Sequence, residues 1–239
     1  MNTDDTPLLG PLAPRSSNEV GIEREIKALK AMVMAEAAAA VGMIEQASEA
    51  LLNRDETLAR IVISHDDEID RNEVQIEEEC FRVLALFQPF AKDFRHITTL
   101  VKVNSDIERV ADHATGIAKQ AIKLKKLNAP PYPTPLIELA HRVPMMCHAL
   151  LGALASESAE QARDLVLRDK AIDSLEKQLF EECVNIMTTA RQSKAACLLI
   201  HRCGRELERV GDLMKNIAED LIYLQSGNIV RHEAKKLPK

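Results

Sequence analysis

The sequence predicts an all-α protein built as two tandem, similar three-helix bundles. Three observations point there. Apolar residues recur in steps of three and four over runs of about thirty residues, the period of an amphipathic helix. The 239-residue chain is 46% apolar but only 3% aromatic, with no Trp, which suits Ala- and Leu-rich helix packing. One short run also occurs twice: Asp106-Ile107-Glu108-Arg109-Val110-Ala111-Asp112 and Glu206-Leu207-Glu208-Arg209-Val210-Gly211-Asp212. A repeat of that spacing is too long for a solenoid turn of about 20–50 residues and reads as a duplicated domain.

The elements follow in chain order. Residues Met1 to Asn18 carry three prolines and no periodicity, and are expected to be a disordered lead. From Glu19, the apolar series Ile22, Ile26, Leu29, Val33, Ala37, Ala40, Ile44, Ala47, Leu51 predicts a helix ending near Asn53. A second helix is expected from Asp55 to Phe87, with Leu58, Ile61, Val62, Ile69, Ile76, Cys80 and Val83 inward. Gln88-Pro89 ends it, because proline is tolerated in a first helical turn but not in an interior. The third helix carries Phe94, Ile97, Leu100, Val103, Ile107, Val110, Ala114 and Ile117 inward, to about Leu127. At 1.5 Å per residue each rod is roughly 50 Å long.

The proline-rich run 129–135 separates the copies, giving a first bundle over 19–128, a linker, a second bundle over 136–227 and a polar tail, 228–239. Helix four is expected over Leu136 to Ser156, with Pro144 kinking it. Helix five carries Leu165, Ile172, Leu175, Leu179, Cys183 and Ile186 inward, and helix six runs from Lys194 to about Leu224.

Composition excludes several function classes. A formal charge of −6 without a strongly basic stretch argues against nucleic acid as a partner. The five cysteines (Cys80, Cys147, Cys183, Cys197, Cys203) form no C-x-x-C pair, so buried, reduced thiols in a cytoplasmic protein are expected. No apolar run reaches the ~18–20 residues of a membrane span, and no signal peptide is evident. No P-loop, Gly-x-Gly-x-x-Gly, His-Glu-x-x-His or nucleophile elbow appears, so no catalytic centre is expected.

The acids carry the functional signal. Residues four apart share a helix face. Glu108 and Asp112 on helix three, and Glu208 and Asp212 on helix six, are therefore stacked carboxylates. Helices two and five add Asp66 with Asp70 and Asp169 with Asp173. If the pairs on neighbouring helices face each other, four carboxylates converge in each bundle. Such oxygen-rich sites suit hard or borderline cations (Mg, Mn, Ca, Fe), while Arg109, Arg205 and Arg209 offer the simpler counter-charge. His65 and His113 each adjoin a signature acid but point about 100° away from it on the helix, so surface roles rather than ligation are expected, and His141 with His148 are expected to be a partly buried pair. The absence of Glu-x-x-His argues against a di-iron oxidase bundle.

These stretches, with Lys92-Asp93-Phe94-Arg95-His96-Ile97, Asn216-Ile217-Ala218-Glu219 and Ser226-Gly227-Asn228-Ile229-Val230-Arg231-His232, resemble the PhoU family of bacterial phosphate-signalling accessory proteins from about Glu19 to His232. The resemblance implies paired three-helix bundles that hold surface metal ions (Fe, Mn, Mg or Zn) through paired E(D)-x-x-x-D motifs. It places Asp66, Asp70, Glu108 and Asp112 at one site and Asp169, Asp173, Glu208 and Asp212 at the other. Two departures are Gly116, where the second copy has Asn216, and Ala111 in place of the usual Gly. The implied function is not enzymatic. It is a cytoplasmic negative regulator of the phosphate-starvation response. It would couple the ATPase subunit of the high-affinity phosphate ABC transporter to a sensor histidine kinase, restrain uptake, reach the membrane only through those partners and form a homodimer. A regulator of another phosphate carrier, or a helical enzyme with a surface metal, are the alternatives.

Overall fold

A computed structural model of the chain describes residues 17–127, 129–189 and 194–227. The expected lead up to residue 16 and the expected tail from 228 lie outside the described residues. Among the described residues there are six helices and no strand: α1 (Ser17–Asn53), α2 (Glu56–Phe87), α3 (Ala91–Lys125), α4 (Thr134–Ser156), α5 (Ala159–Thr189) and α6 (Lys194–Ser226). α4 starts inside the expected linker, because Pro135 serves its first turn, where a missing N–H costs nothing. Pro144 lies buried within α4, where it removes the donor that would pair with the Ala140 carbonyl.

Capping fixes the first hairpin. Asp55 Oδ1 accepts from the Thr57 and Leu58 amides (2.8 and 3.1 Å), satisfying two donors that helix geometry leaves open. Arg54 before it, and Glu157 at the matching position of the α4–α5 turn, both adopt left-handed φ (51° and 48°). The two hairpins thus turn through the same unusual conformation.

α1, α2 and α3 pack on one another, as do α4, α5 and α6. The copies then join through α3 against α6 and α1 against α4, leaving α2 and α5 as the outer helices. The buried side chains form one continuous apolar cluster that spans both copies, so the seam is core rather than a wetted contact. Polar ties cross it: Lys30 Nζ to Glu157 Oε1 at 2.5 Å, and His113 Nδ1 to Glu206 Oε2 at 2.7 Å. His113 therefore works between the bundles rather than on an open surface. Gly116 faces the same place; a Cβ there would lie 3.5 Å from Glu206 Cδ, an ordinary van der Waals contact.

Some expected inward residues are outside. Ile61 and Phe94 are 44% and 49% exposed, because outer α2 is covered on two sides only and Phe94 sits in α3's first turn. His141 and His148 are both exposed, on an open groove between α1 and α4, where His148 Nε2 meets Glu45 Oε1 at 2.6 Å. All five cysteines are buried and unbridged, with Cys80 and Cys183 at matching core positions.

The two cores differ at the layer of Glu36. Glu36 of α1 is only 4% exposed; its Oε2 accepts from Asn72 Nδ2 at 3.0 Å, while Oε1 has no hydrogen-bond partner. The matching residues of the second copy are Leu139 and Leu175.

Candidate functional site

Both acidic clusters form where an outer helix meets the last helix of its bundle. Helix periodicity brings Asp66 and Asp70 of α2 toward Glu108 and Asp112 of α3, and Asp169 and Asp173 of α5 toward Glu208 and Asp212 of α6. The buried stripes of these helices, which include Ile69 on α2 and Ile107 on α3, set the facing, and in the second copy Ile172 lies beside Gly211, whose added Cβ would lie 3.2 Å from Ile172 Cγ2. Ala111 at the corresponding place of α3 is accommodated and 1% exposed.

In the first cluster, Asp66 and Glu108 are half-buried, and Asp70 and Asp112 exposed. Thr115 donates through Oγ1 to Asp66 Oδ1 at 3.0 Å. Burial pushes the Asp66 carboxyl up, and the charges of Asp112 and Asp70 add to this against the Thr115 bond. Burial also raises Glu108, with Asp112, Asp70 and Glu73 contributing. Arg109 does not neutralise Asp112; it pairs with Asp106 at 3.3 Å.

The second cluster is tighter. Asp169, Asp173 and Asp212 each place a carboxylate oxygen within 4.8 Å of the others. Among the described residues this is the one such group of three. Glu208 stands beside it, raised by burial and then by Asp212, with Glu176 and Asp173 adding smaller pushes against Arg205. Asp173 is raised by burial and by Asp169 and Asp212. Asp169 is 3% exposed; Lys215 Nζ donates to its Oδ2 at 2.5 Å, and its Oδ1 is buried with no hydrogen-bond partner. Arg205 reaches Glu176 at 3.8 Å and Glu208 at 4.0 Å.

The structure thus gathers all eight sequence-derived acids into two clusters and adds residues that the four-residue spacing does not show. Glu73 and Glu176 lie three residues beyond Asp70 and Asp173, and Thr115 and Lys215 three beyond Asp112 and Asp212. A signal existed: the acids Glu73 and Glu176 recur at the same offset as the aspartates before them.

An all-oxygen donor set in which Asp66, Glu108, Asp173 and Glu208 are raised is a field that a hard cation relieves, and Asp169, which brings an oxygen to the second cluster, keeps a buried Oδ1 without a hydrogen-bond partner. The residues present therefore fit a metal ion of the Mg, Mn or Fe type. Among the described residues, no helix is long and apolar enough to cross a membrane.

Comparison with known proteins agrees with this architecture. The PhoU domain model matches twice, over residues 33–121 and 136–221, one match to each bundle. A phosphate-specific transport system accessory protein PhoU homolog of Pseudomonas aeruginosa is 36% identical over 192 residues, covering 79% of this chain and 78% of that protein. The homolog of Deinococcus radiodurans is 34% identical over 186 residues, 78% of this chain and 87% of its own. PhoU of Escherichia coli K12 is 30% identical over 195 residues, 80% of this chain and 81% of its own. The crystal structure of PhoU from P. aeruginosa superposes with a TM-score of 0.84 at 32% identity, covering 86% of this chain and 99% of that one. A phosphate transport system regulatory protein PhoU from Streptococcus pneumoniae gives 0.80 at 27% identity, over 87% and 99%.

Proposed function

Since the chain belongs to the PhoU family, we propose that it is an accessory protein of phosphate transport acting as a negative regulator of the phosphate-starvation response. In this reading it is a non-enzymatic cytoplasmic adaptor. It links the ATPase subunit of a high-affinity phosphate ABC transporter to a sensor histidine kinase and restrains uptake when phosphate is plentiful. A homodimer is the assembly we assign to it.

The observation that carries the reading is the pairing of a rigid body with two acidic faces. A continuous core through both bundles keeps the α2–α3 and α5–α6 faces in a fixed relation, as an adaptor requires. In each face Asp66, Asp70, Glu108 and Asp112, or Asp169, Asp173, Glu208 and Asp212, would hold a divalent or trivalent cation. Such an ion supplies charge neutralisation and a fixed geometry of oxygen ligands. The chain's own part is to hold the carboxylates in register on two packed helices, so that cation loading sets the charge each face presents to a partner.

The test is co-purification at high and low phosphate from cells carrying a tagged chain. Recovery of kinase and transporter ATPase, varying with phosphate, supports the adaptor. Recovery of neither, with a different phosphate carrier in their place, refutes the assigned pathway. Alanine at all eight acids is expected to weaken that recovery; unchanged recovery and regulation would refute a role for the cations.

A further inference from the structure

The two clusters are built on the same plan and differ at the residue that bonds the first outer-helix aspartate. In each, the aspartate that starts the outer-helix pair takes a hydrogen bond from the residue three beyond the last acid. In the first bundle this is Thr115 to Asp66; in the second it is Lys215 to Asp169. Threonine brings a neutral hydroxyl, lysine a full positive charge. Lys215 Nζ and Asp169 Oδ2, 2.5 Å apart, form an ion pair within the cluster. Arg205 adds a second cation at the rim of the same cluster, whereas Arg109 in the first bundle is turned to Asp106.

This difference accounts for the geometry. Carboxylates repel, and three of them come within 4.8 Å of one another only where the lysine stands among them. In the first cluster the cations Lys119 and Arg109 act on Asp66 and Glu108 only through their charge, without a bond to them, and no three carboxylates come that close among the described residues.

We infer that Lys215 is the resident counter-ion of the second cluster, and that a divalent cation enters there by displacing the ammonium from Asp169. The first cluster is then the high-affinity site and the second the low-affinity one. The inference rests on the metal reading above. The Lys215 side chain is 30% exposed, so its ammonium can swing into water without unfolding the helix pair. Displacement leaves Asp169 with both oxygens free for the ion, including the Oδ1 that has no partner in the structure. One chain would thus report cation level in two ranges, the second face changing its charge only after the first is filled.

The test uses the full chain, stripped with a chelator and titrated with Mn²⁺ alone by calorimetry, with bound Mn²⁺ counted by electron paramagnetic resonance. Wild type is expected to show a tight class that Asp112→Asn removes and a weak class that Asp212→Asn removes. Lys215→Thr, which installs the residue of the matching position, should tighten the second class by roughly ten- to a hundredfold, the scale of one nearby charge. Thr115→Lys should weaken the first class by a similar factor, and tests the same idea if Lys215→Thr fails to fold. Equal affinities in wild type, or a second class that Lys215→Thr leaves unchanged or weaker, overturn the inference and leave the metal reading standing. Absence of Mn²⁺ binding in wild type and every variant removes both.

Discussion

Replacing Glu36 by leucine should make the protein more stable. Glu36 is 4% exposed in the first core, with one oxygen bonded to Asn72 and the other buried without a partner. An unsatisfied buried polar group costs roughly 1–3 kcal/mol, and Glu and Leu have similar helix propensity, so Glu36→Leu is expected to gain about that amount. The matching position holds Leu139 at 0% exposure, so a leucine fits this layer of the fold. Asn72 loses its acceptor, but it is only half-buried and water replaces the bond. The gain depends on pH with a definite sign. Burial raises the folded carboxyl above 4.5, with Glu68 and Glu73 adding to this against the Asn72 bond. Below 4.5 both folded and unfolded chains hold the proton and the ionic penalty vanishes. As pH rises from there toward the folded value, the unfolded chain ionises first and wild-type stability falls; Glu36→Leu and Glu36→Gln should both remove that slope. Urea unfolding below 4.5 and at neutral pH measures it, through a shift in midpoint at constant m. A loss of more than about 1 kcal/mol in Glu36→Leu would show Glu36 to be fully partnered and refute the reasoning.

Four further outcomes are expected. Asp55→Ala removes both bonds to the α2 amides and should cost about 0.5–2 kcal/mol in the same urea assay. Gly42→Ala should gain about 1 kcal/mol, because a Cβ there meets nothing within 4 Å and alanine is the better helix former. Gly204→Ala should instead destabilise by about 0–2 kcal/mol in thermal or urea melts, since its Cβ would lie 2.2 Å from Cδ2 of fully buried Leu179 and overpacking outweighs propensity. The thiols should resist a disulfide reagent in the native state and react together on unfolding, because burial pushes Cys80 up to about 11 and Cys147 and Cys183 to about 12. Mass spectrometry of labelled protein checks this.

The legibility of this protein in its sequence follows from what helix periodicity encodes. Period 3.6 carries the six helices and the four-residue acid pairs, since both depend only on positions along one rod. Partners on another rod are not carried. Arg109 is as close in sequence to Asp106 as to Asp112, and side-chain packing chose Asp106. Ile61 follows the apolar stripe of α2, yet lies outside the arc that α1 and α3 cover. His141 and His148 share a face, but that face borders the open α1–α4 groove. Nothing along α1 singles out Glu36, which the structure buries with a bond from Asn72 of another helix. The third acids, Glu73 and Glu176, and the Thr115–Lys215 difference are visible only when the two copies are aligned and then folded.

The Arg54 turn has a consequence for how the two copies came to differ. Its guanidinium lies 4.8 Å over the Tyr132 ring and donates to the Pro130 carbonyl at 3.0 Å, while the Tyr132 hydroxyl donates to the Leu51 carbonyl at 2.9 Å. This knot pins the connecting segment to the end of the first hairpin and turns what two separate half-molecules would form by collision into a tethered encounter. Separate identical halves must carry every mutation twice, once on each side of their shared axis. A tethered pair is released from that constraint. Threonine in one half can correspond to lysine in the other, and a buried glutamate in one half can occupy the position that leucine holds in the other.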